Sequence, residues 1–173
     1  MDFYRLFSVH IRAWTPLEII CFLMAAVGTG IVLVRAVRCH RMKISQAISA
    51  FAFFVFLSLV FASTVFTRSV GTRQCELIPL WSWTEVIFRQ NWYLLEENIL
   101  NVLLFLPIGC LLPFVYGQKV LLKKALGIGF CISAVIEICQ LVFMRGLFEW
   151  DDMLHNALGC MIGCFVVNLF WRK

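Results

Sequence analysis

Ser133, Glu137 and Gln140 stand at i, i+4 and i+7, a spacing that sets three polar side chains on one helical face. Glu137 is the one acidic residue deep inside an apolar stretch, eight residues before Arg145. At 1.5 Å per residue it sits about 12 Å below that end of its helix. A charge at the centre of a membrane helix costs about 2.5–3.5 kcal/mol unless it faces a partner or a cavity. Other polar residues collect at similar depth. Asn98 and Asn101 share a face at the start of another apolar run, and Asp152 and Asn156 lie one turn apart at the start of a third. Gly159 and Gly163 continue the last as GxxxG, which admits close helix approach. Glu149 and Asp151 add carboxylates at the same end, and Arg68 and Arg145 are candidate partners for Glu137.

Two kinds of chemistry fit this set. It can be structural glue, in which each interhelical hydrogen bond contributes about 0.6 kcal/mol. Alternatively it lines a pocket for a polar or charged ligand. In a catalytic version Glu137 or Asp152 acts as general base while Arg68 and Arg145 hold a phosphate by charge-assisted bonds. His155, beside Asp152, is the nearest histidine in sequence, and no nucleophile motif accompanies it. The eight cysteines form no CxxC and no Cys/His cluster with metal spacing, and most lie in apolar stretches. Neither a metal, a cofactor nor a disulfide framework is expected.

The elements that carry these residues are apolar spans. The chain has 173 residues, 62% hydrophobic and 14% charged, against about 45–50% apolar and 25% charged for a soluble domain. Runs long enough to cross a bilayer, about 20 residues each, cover approximately 17–37, 44–66, 98–116, 120–144 and 153–171. The fold class expected is all-α, a polytopic bundle of five transmembrane helices with interfacial helices. Thr15-Pro16 supplies a cap and first turn for the first span. Residues 1–16 form an N-terminal interfacial segment, with Phe3, Phe7, Ile11 and Trp14 at helical spacing, and 17–173 form one transmembrane domain. Between the second and third spans, Ser82-Trp-Thr-Glu85 has the capping-box pattern that starts a helix. Trp81, Trp83, Trp92 and Tyr93 place that loop at the membrane surface. Pro107 and Pro113 interrupt the third span, and each bends a helix and frees a backbone carbonyl.

Charge sets the orientation. With five spans, one side receives nine basic residues and no acidic ones: Arg35, Arg38, Arg41, Lys43, Lys119, Lys123, Lys124, Arg172 and Lys173. The other side receives six basic and nine acidic residues. The positive-inside rule makes the first side cytoplasmic, with the N-terminus outside and the C-terminus inside. The net charge of +5 then serves topology, and nucleic acid is not an expected partner, since no basic stripe has polar surroundings.

The same residues carry a family resemblance. Thr64-Val-Phe-Thr-Arg68 closes the second span, and Leu77-Ile-Pro-Leu80 resembles a Leu-Ile-Pro-Phe element with Leu80 in place of Phe. Asn101-Val-Leu-Leu-Phe-Leu-Pro-Ile-Gly109 resembles an Asn-x-x-x-Phe-x-Pro-x-Gly segment. Ser133-x-x-x-Glu137-x-x-Gln140 precedes Arg145, then Phe148-Glu-Trp-Asp-Asp152-x-x-x-Asn156-x-x-Gly159-x-x-x-Gly163, with Glu149 where Asp is usual. In order and spacing these pieces resemble the VanZ-like membrane proteins, from about Ser63 to Phe170, with the first span outside. The resemblance implies a bacterial cytoplasmic-membrane protein of the cell envelope that lowers susceptibility to glycopeptide antibiotics of the teicoplanin type. The expected partners are membrane lipid, a lipid-linked wall precursor or the lipoglycopeptide itself. The alternatives are a membrane enzyme modifying a lipid-linked precursor or lipid headgroup, and, less favoured for lack of inverted repeats, a transporter.

Overall fold

The computed structural model describes residues 14–171. The amphipathic segment expected at the N-terminus lies, Trp14 apart, outside the described residues. Five helices are long and apolar enough to cross a membrane. They are α1 (Pro16–Arg38), α2 (Ile44–Phe61, extended by a π-helical turn Ala62–Phe66), α4 (Trp92–Tyr116), α5 (Leu122–Phe143) and α6 (Trp150–Phe170); the short α3 (Trp81–Arg89) lies between α2 and α4. The all-α bundle carries one addition, a parallel pair of three-residue strands, β1 (Gln74–Glu76) and β2 (Leu147–Glu149), with Glu76 opposite Glu149.

Local signals account for several boundaries. Thr15 accepts the Glu18 backbone N–H while the Glu18 carboxylate accepts that of Thr15, a complete capping box before Pro16. Gly117, at φ 67°, ends α4 in the left-handed conformation that costs glycine little. Helix α4 begins six residues earlier than the apolar run at 98, because a helix continues past the hydrocarbon wherever its polar residues meet a wet surface. Both Pro107 and Pro113 lie inside this continuous helix. Helix α6 starts at Trp150 with Glu149 as its N-cap residue.

The core forms where α2, α4, α5 and α6 meet, with Val60, Val65, Phe105, Ile108, Ile136, Cys160 and Cys164 buried together. The most extensive packing is between α4 and α6, and glycine makes it possible. A Cβ on Gly159 would lie 2.1 Å from the Val102 carbonyl oxygen, and one on Gly163 would lie 2.0 Å from that of Leu106. From the facing side, a Cβ on Gly109 would meet the Cys160 carbonyl oxygen at 1.9 Å. Backbone meets backbone here, as dispersion-driven packing in lipid demands. Helix α1 is different: it packs against α2 and has no buried residue.

Candidate functional site

Three adjacent helix ends and the β1–β2 pair hold the polar residues. Helix α5 presents Ser133, Glu137 and Gln140 on one face, all buried. Glu137, only 1% exposed, accepts a hydrogen bond from the backbone N–H of Glu149 at 3.1 Å. A turn deeper, Asn156 on α6 donates to the Ser133 hydroxyl at 2.8 Å. A turn towards the loops, the Gln140 side-chain nitrogen donates to the Thr64 carbonyl at 3.0 Å. That carbonyl belongs to the π-helical turn, where the Ser63 and Thr64 hydroxyls both bond back to Val60 and the Thr67 N–H reaches Ala62. Such back-bonding competes with the regular helical ladder.

The first turn of α6 splits its two aspartates between tasks. Asp152 accepts from Asn101 of α4 at 2.7 Å. Asp151 faces α3: one carboxylate oxygen accepts the Leu80 N–H, and the other accepts the Ser82 N–H at 2.9 Å and the Ser82 hydroxyl at 2.6 Å. Asn98 completes this knot by donating to the Ser82 hydroxyl at 3.1 Å. The sequence pattern assigned the start of α3 to a Ser82/Glu85 capping box, and the structure corrects this. The helix starts two residues earlier, behind Leu80 at φ 61°, and the distant Asp151 caps it. Glu85 instead pairs with Arg89 at 3.3 Å on the surface. Trp83, on the same helix, donates its indole N–H to His155 Nε2 at 2.9 Å.

The two arginines expected to hold Glu137 divide as well. Arg145 donates from Nη1 to the Phe66 carbonyl and, at 3.3 Å, to that of Arg68. It closes the open end of the second span and does not pair with Glu137, because the π-helical turn leaves carbonyls there that need a donor. Arg68 is the cation whose charge acts on Glu137 and Asp152. It passes over Gly146, where a Cβ would meet Arg68 Nη1 at 3.0 Å and Gln140 Oε1 at 3.1 Å. Glu149, at the end of β2, faces Asp152 and lies within electrostatic reach of Glu97 and Asp151. Burial first, and then the charge of Asp152, pushes its carboxyl up to about 8. Two facing carboxyls hydrogen bond only when one carries a proton, so this pair is suited to hold one.

The structure therefore joins the sequence candidates into two linked networks. One holds Asn98, Ser82 and Asp151; the other holds Glu137, Glu149, Asp152 and Asn101 beside Arg68, with Asn156–Ser133 below and Gln140 at its edge. Ser82 as a partner of Asp151, Trp83, Thr64, Glu97 and Gly146 were not identifiable as members from spacing. Among the described residues no His, Cys, Asp and Glu side chains gather in threes able to hold a metal ion. Two buried acceptors, Gln140 Oε1 and Asn156 Oδ1, have no hydrogen-bond partner.

These residues lie within the range that one family model matches. The VanZ/LLP1 family model matches residues 44–171, from the first residue of α2 to the residue after α6. The chain belongs to the VanZ/LLP1 family. Neither a curated protein nor a solved structure matches it. The VanZ match takes in every element of both networks and leaves α1 outside. With five apolar helices, this VanZ-family chain is a multi-pass membrane protein.

Proposed function

We propose that this protein lowers susceptibility to lipoglycopeptide antibiotics of the teicoplanin type through a polar site that binds the drug, a lipid or a lipid-linked wall precursor. The site faces outwards from the bacterial cytoplasmic membrane, with the N-terminus outside and the C-terminus inside. The wholly basic opposite connections support that orientation. The observation that carries the binding function is the surplus of buried acceptors. Glu137 and Asp152 share the charge of Arg68, Glu149 faces Asp152, and Gln140 Oε1 and Asn156 Oδ1 are buried without donors. Buried acceptors left unpaired cost about 1–3 kcal/mol each. A ligand rich in hydroxyl, amide and ammonium donors offsets that cost, and glycopeptides and wall precursors are of that kind.

A second function has one observation in its favour. The Glu149 carboxyl, raised to about 8, holds a proton at neutral pH and so suits a general acid acting on a lipid-linked precursor or headgroup. One set of strains separates the two. A susceptible bacterium is given the wild-type gene, Glu137→Gln or Glu149→Gln, with protein level and melting in detergent checked for each. Binding predicts that teicoplanin susceptibility falls with wild type and returns with Glu137→Gln, while precursor and lipid profiles by mass spectrometry stay constant. Catalysis predicts a new precursor or headgroup species that disappears with Glu149→Gln. Unchanged susceptibility and unchanged lipids in all strains refute both.

A further inference from the structure

Helix α1 lies outside the VanZ match and is bound unlike the other spans. None of its residues is buried. Gly28 and Gly30, the small residues that could bring it close to a neighbour, have nothing within 4 Å of a Cβ. Between α1 and α2 runs a groove of about 400 Å³. Leu17, Glu18, Cys21, Phe22 and Ala25 line one wall from one face of α1, with Trp14 just ahead of the helix. Phe54, Ser58, Phe61, Phe66 and Thr67 line the other, and their rings hold the two helices apart.

We propose that this groove holds one acyl chain of a bilayer phospholipid. Three observations point to that occupant. The first is chemistry: apart from the Trp14 indole at the mouth and the weakly polar Cys21 thiol, the polar side chains on the walls are engaged within the chain. The Ser58 hydroxyl bonds the Phe54 carbonyl at 2.8 Å, the Thr67 hydroxyl bonds that of Ser63 at 3.1 Å, and the Glu18 carboxylate caps α1. Below Trp14 the walls are predominantly apolar, so the groove suits hydrocarbon. Its volume is that of an ordinary ligand pocket.

The second is length. From Pro16, where α1 begins, to Ala25 the wall runs nine residues, about 14 Å at 1.5 Å per residue, with Trp14 ahead of it. The hydrocarbon of one leaflet is half of about 30 Å. The groove therefore spans one leaflet and no more. The third is polarity along its axis. Trp14, an interfacial ring packed edge-on against Phe22 at 5.6 Å, sits at the end where Thr67 leads into the loops, and the far end at Ala25 and Phe54 is wholly apolar. A phospholipid of that leaflet enters tail first, with its headgroup beside Trp14. Because the walls engage no headgroup, the proposal stands independently of any ligand at the Glu137 network.

The test uses the full chain in vesicles of phosphatidylethanolamine and phosphatidylglycerol, doped with a phosphatidylglycerol bearing a photoactivatable diazirine on its acyl chain. Cross-linked peptides are mapped by mass spectrometry. Labelling is expected to concentrate at Cys21, Phe22, Phe54 and Ser58, at least fivefold above the outward positions Leu23 and Val27. Ala25→Trp or, as a milder filling, Ser58→Leu is expected to reduce groove labelling to the level of the outward positions without altering the helical circular dichroism. Equal labelling of groove and outward faces shows ordinary annular lipid and overturns the proposal. So does absence of groove labelling, which means that protein occupies the groove, and so does labelling that both filling variants leave unchanged.

Discussion

Replacing Asp151 with alanine removes the carboxylate that makes three of the hydrogen bonds latching α3 to the helix bundle. The carboxylate accepts the Leu80 N–H, the Ser82 N–H and the Ser82 hydroxyl, with Asp151 1% and Ser82 3% exposed. Hydrogen bonds to an ionised group contribute about 1.5–3 kcal/mol each. Leu80 is exposed, so its N–H regains water, whereas the two Ser82 donors stay buried. The loss is therefore about 3–6 kcal/mol, borne first by α3 and its flanking loop. The spans themselves keep their own backbone hydrogen bonds. Limited proteolysis of the detergent-solubilised protein reads this directly: by loosening the backbone of α3 and its loop, Asp151→Ala is expected to speed tryptic cleavage at the already exposed Arg73 and Arg89 while the spans remain intact. Asp151→Asn keeps the shape but turns an NH2 group towards donors, and is expected to fall between alanine and wild type. If Asp151→Ala cleaves at the wild-type rate and melts at the wild-type temperature, the latch is wrong. Asp151 would then be free to serve as a ligand-binding carboxylate.

Glu149→Gln tests the raised carboxyl. With the native group near 8 and an ordinary value of 4.5, the folded chain binds the extra proton between those limits. Stability is then fully present below about pH 4.5 and falls as pH rises towards 8. The glutamine variant is expected to flatten that decline in melting temperature measured from pH 5 to 9, and an unchanged slope refutes the assignment. Gly159→Ala is expected to cost about 1–3 kcal/mol or more by overpacking against Val102, and Gly28→Ala, with open space around it, to leave the melting temperature in detergent unchanged or slightly higher.

The spans were legible because a bilayer imposes length and apolarity on consecutive residues, and such patterns need no knowledge of the fold. The helix start at Thr15-Pro16 was legible for the same reason, and the capping box that Thr15 forms with Glu18 lies within that one turn. Ser82–Glu85 has the same local pattern, yet the cap comes from Asp151, 69 residues away from Ser82. Local pattern states what a helix start needs and leaves open which group supplies it. Strands β1 and β2 are three residues each and gain meaning only by pairing across the chain, so neither shows a period. Glu137 was identifiable as a buried carboxylate in need of a partner. An arginine was the natural candidate, but the donor is a backbone N–H, which no side-chain pattern reveals. Arg145 went to carbonyls at the end of a π-helical turn, where hydroxyl back-bonding accompanies the break in the regular ladder.

The start of α6 shows how glue and site separate residue by residue. Consecutive residues on a helix point about 100° apart, so Asp151 and Asp152 cannot serve the same neighbour. Asp151 turns to α3 and Asp152 to Asn101 of α4, while the Glu149 N–H holds Glu137 of α5. One turn of helix thus ties three other elements together, and acids there also gain from the positive end of the helix dipole. Asp151 has bonds on both oxygens and is spent on structure. Glu149 is not: its N–H is structural, but its carboxyl meets only Asp152 and other acids. Gln140 and Asn156 follow the same division, with each side-chain nitrogen engaged and each oxygen bare. Removing the glue role from each residue leaves acceptors on one side and Arg68 on the other. On the proposed function that remainder is what a ligand would meet: buried acceptors beside the Arg68 cation.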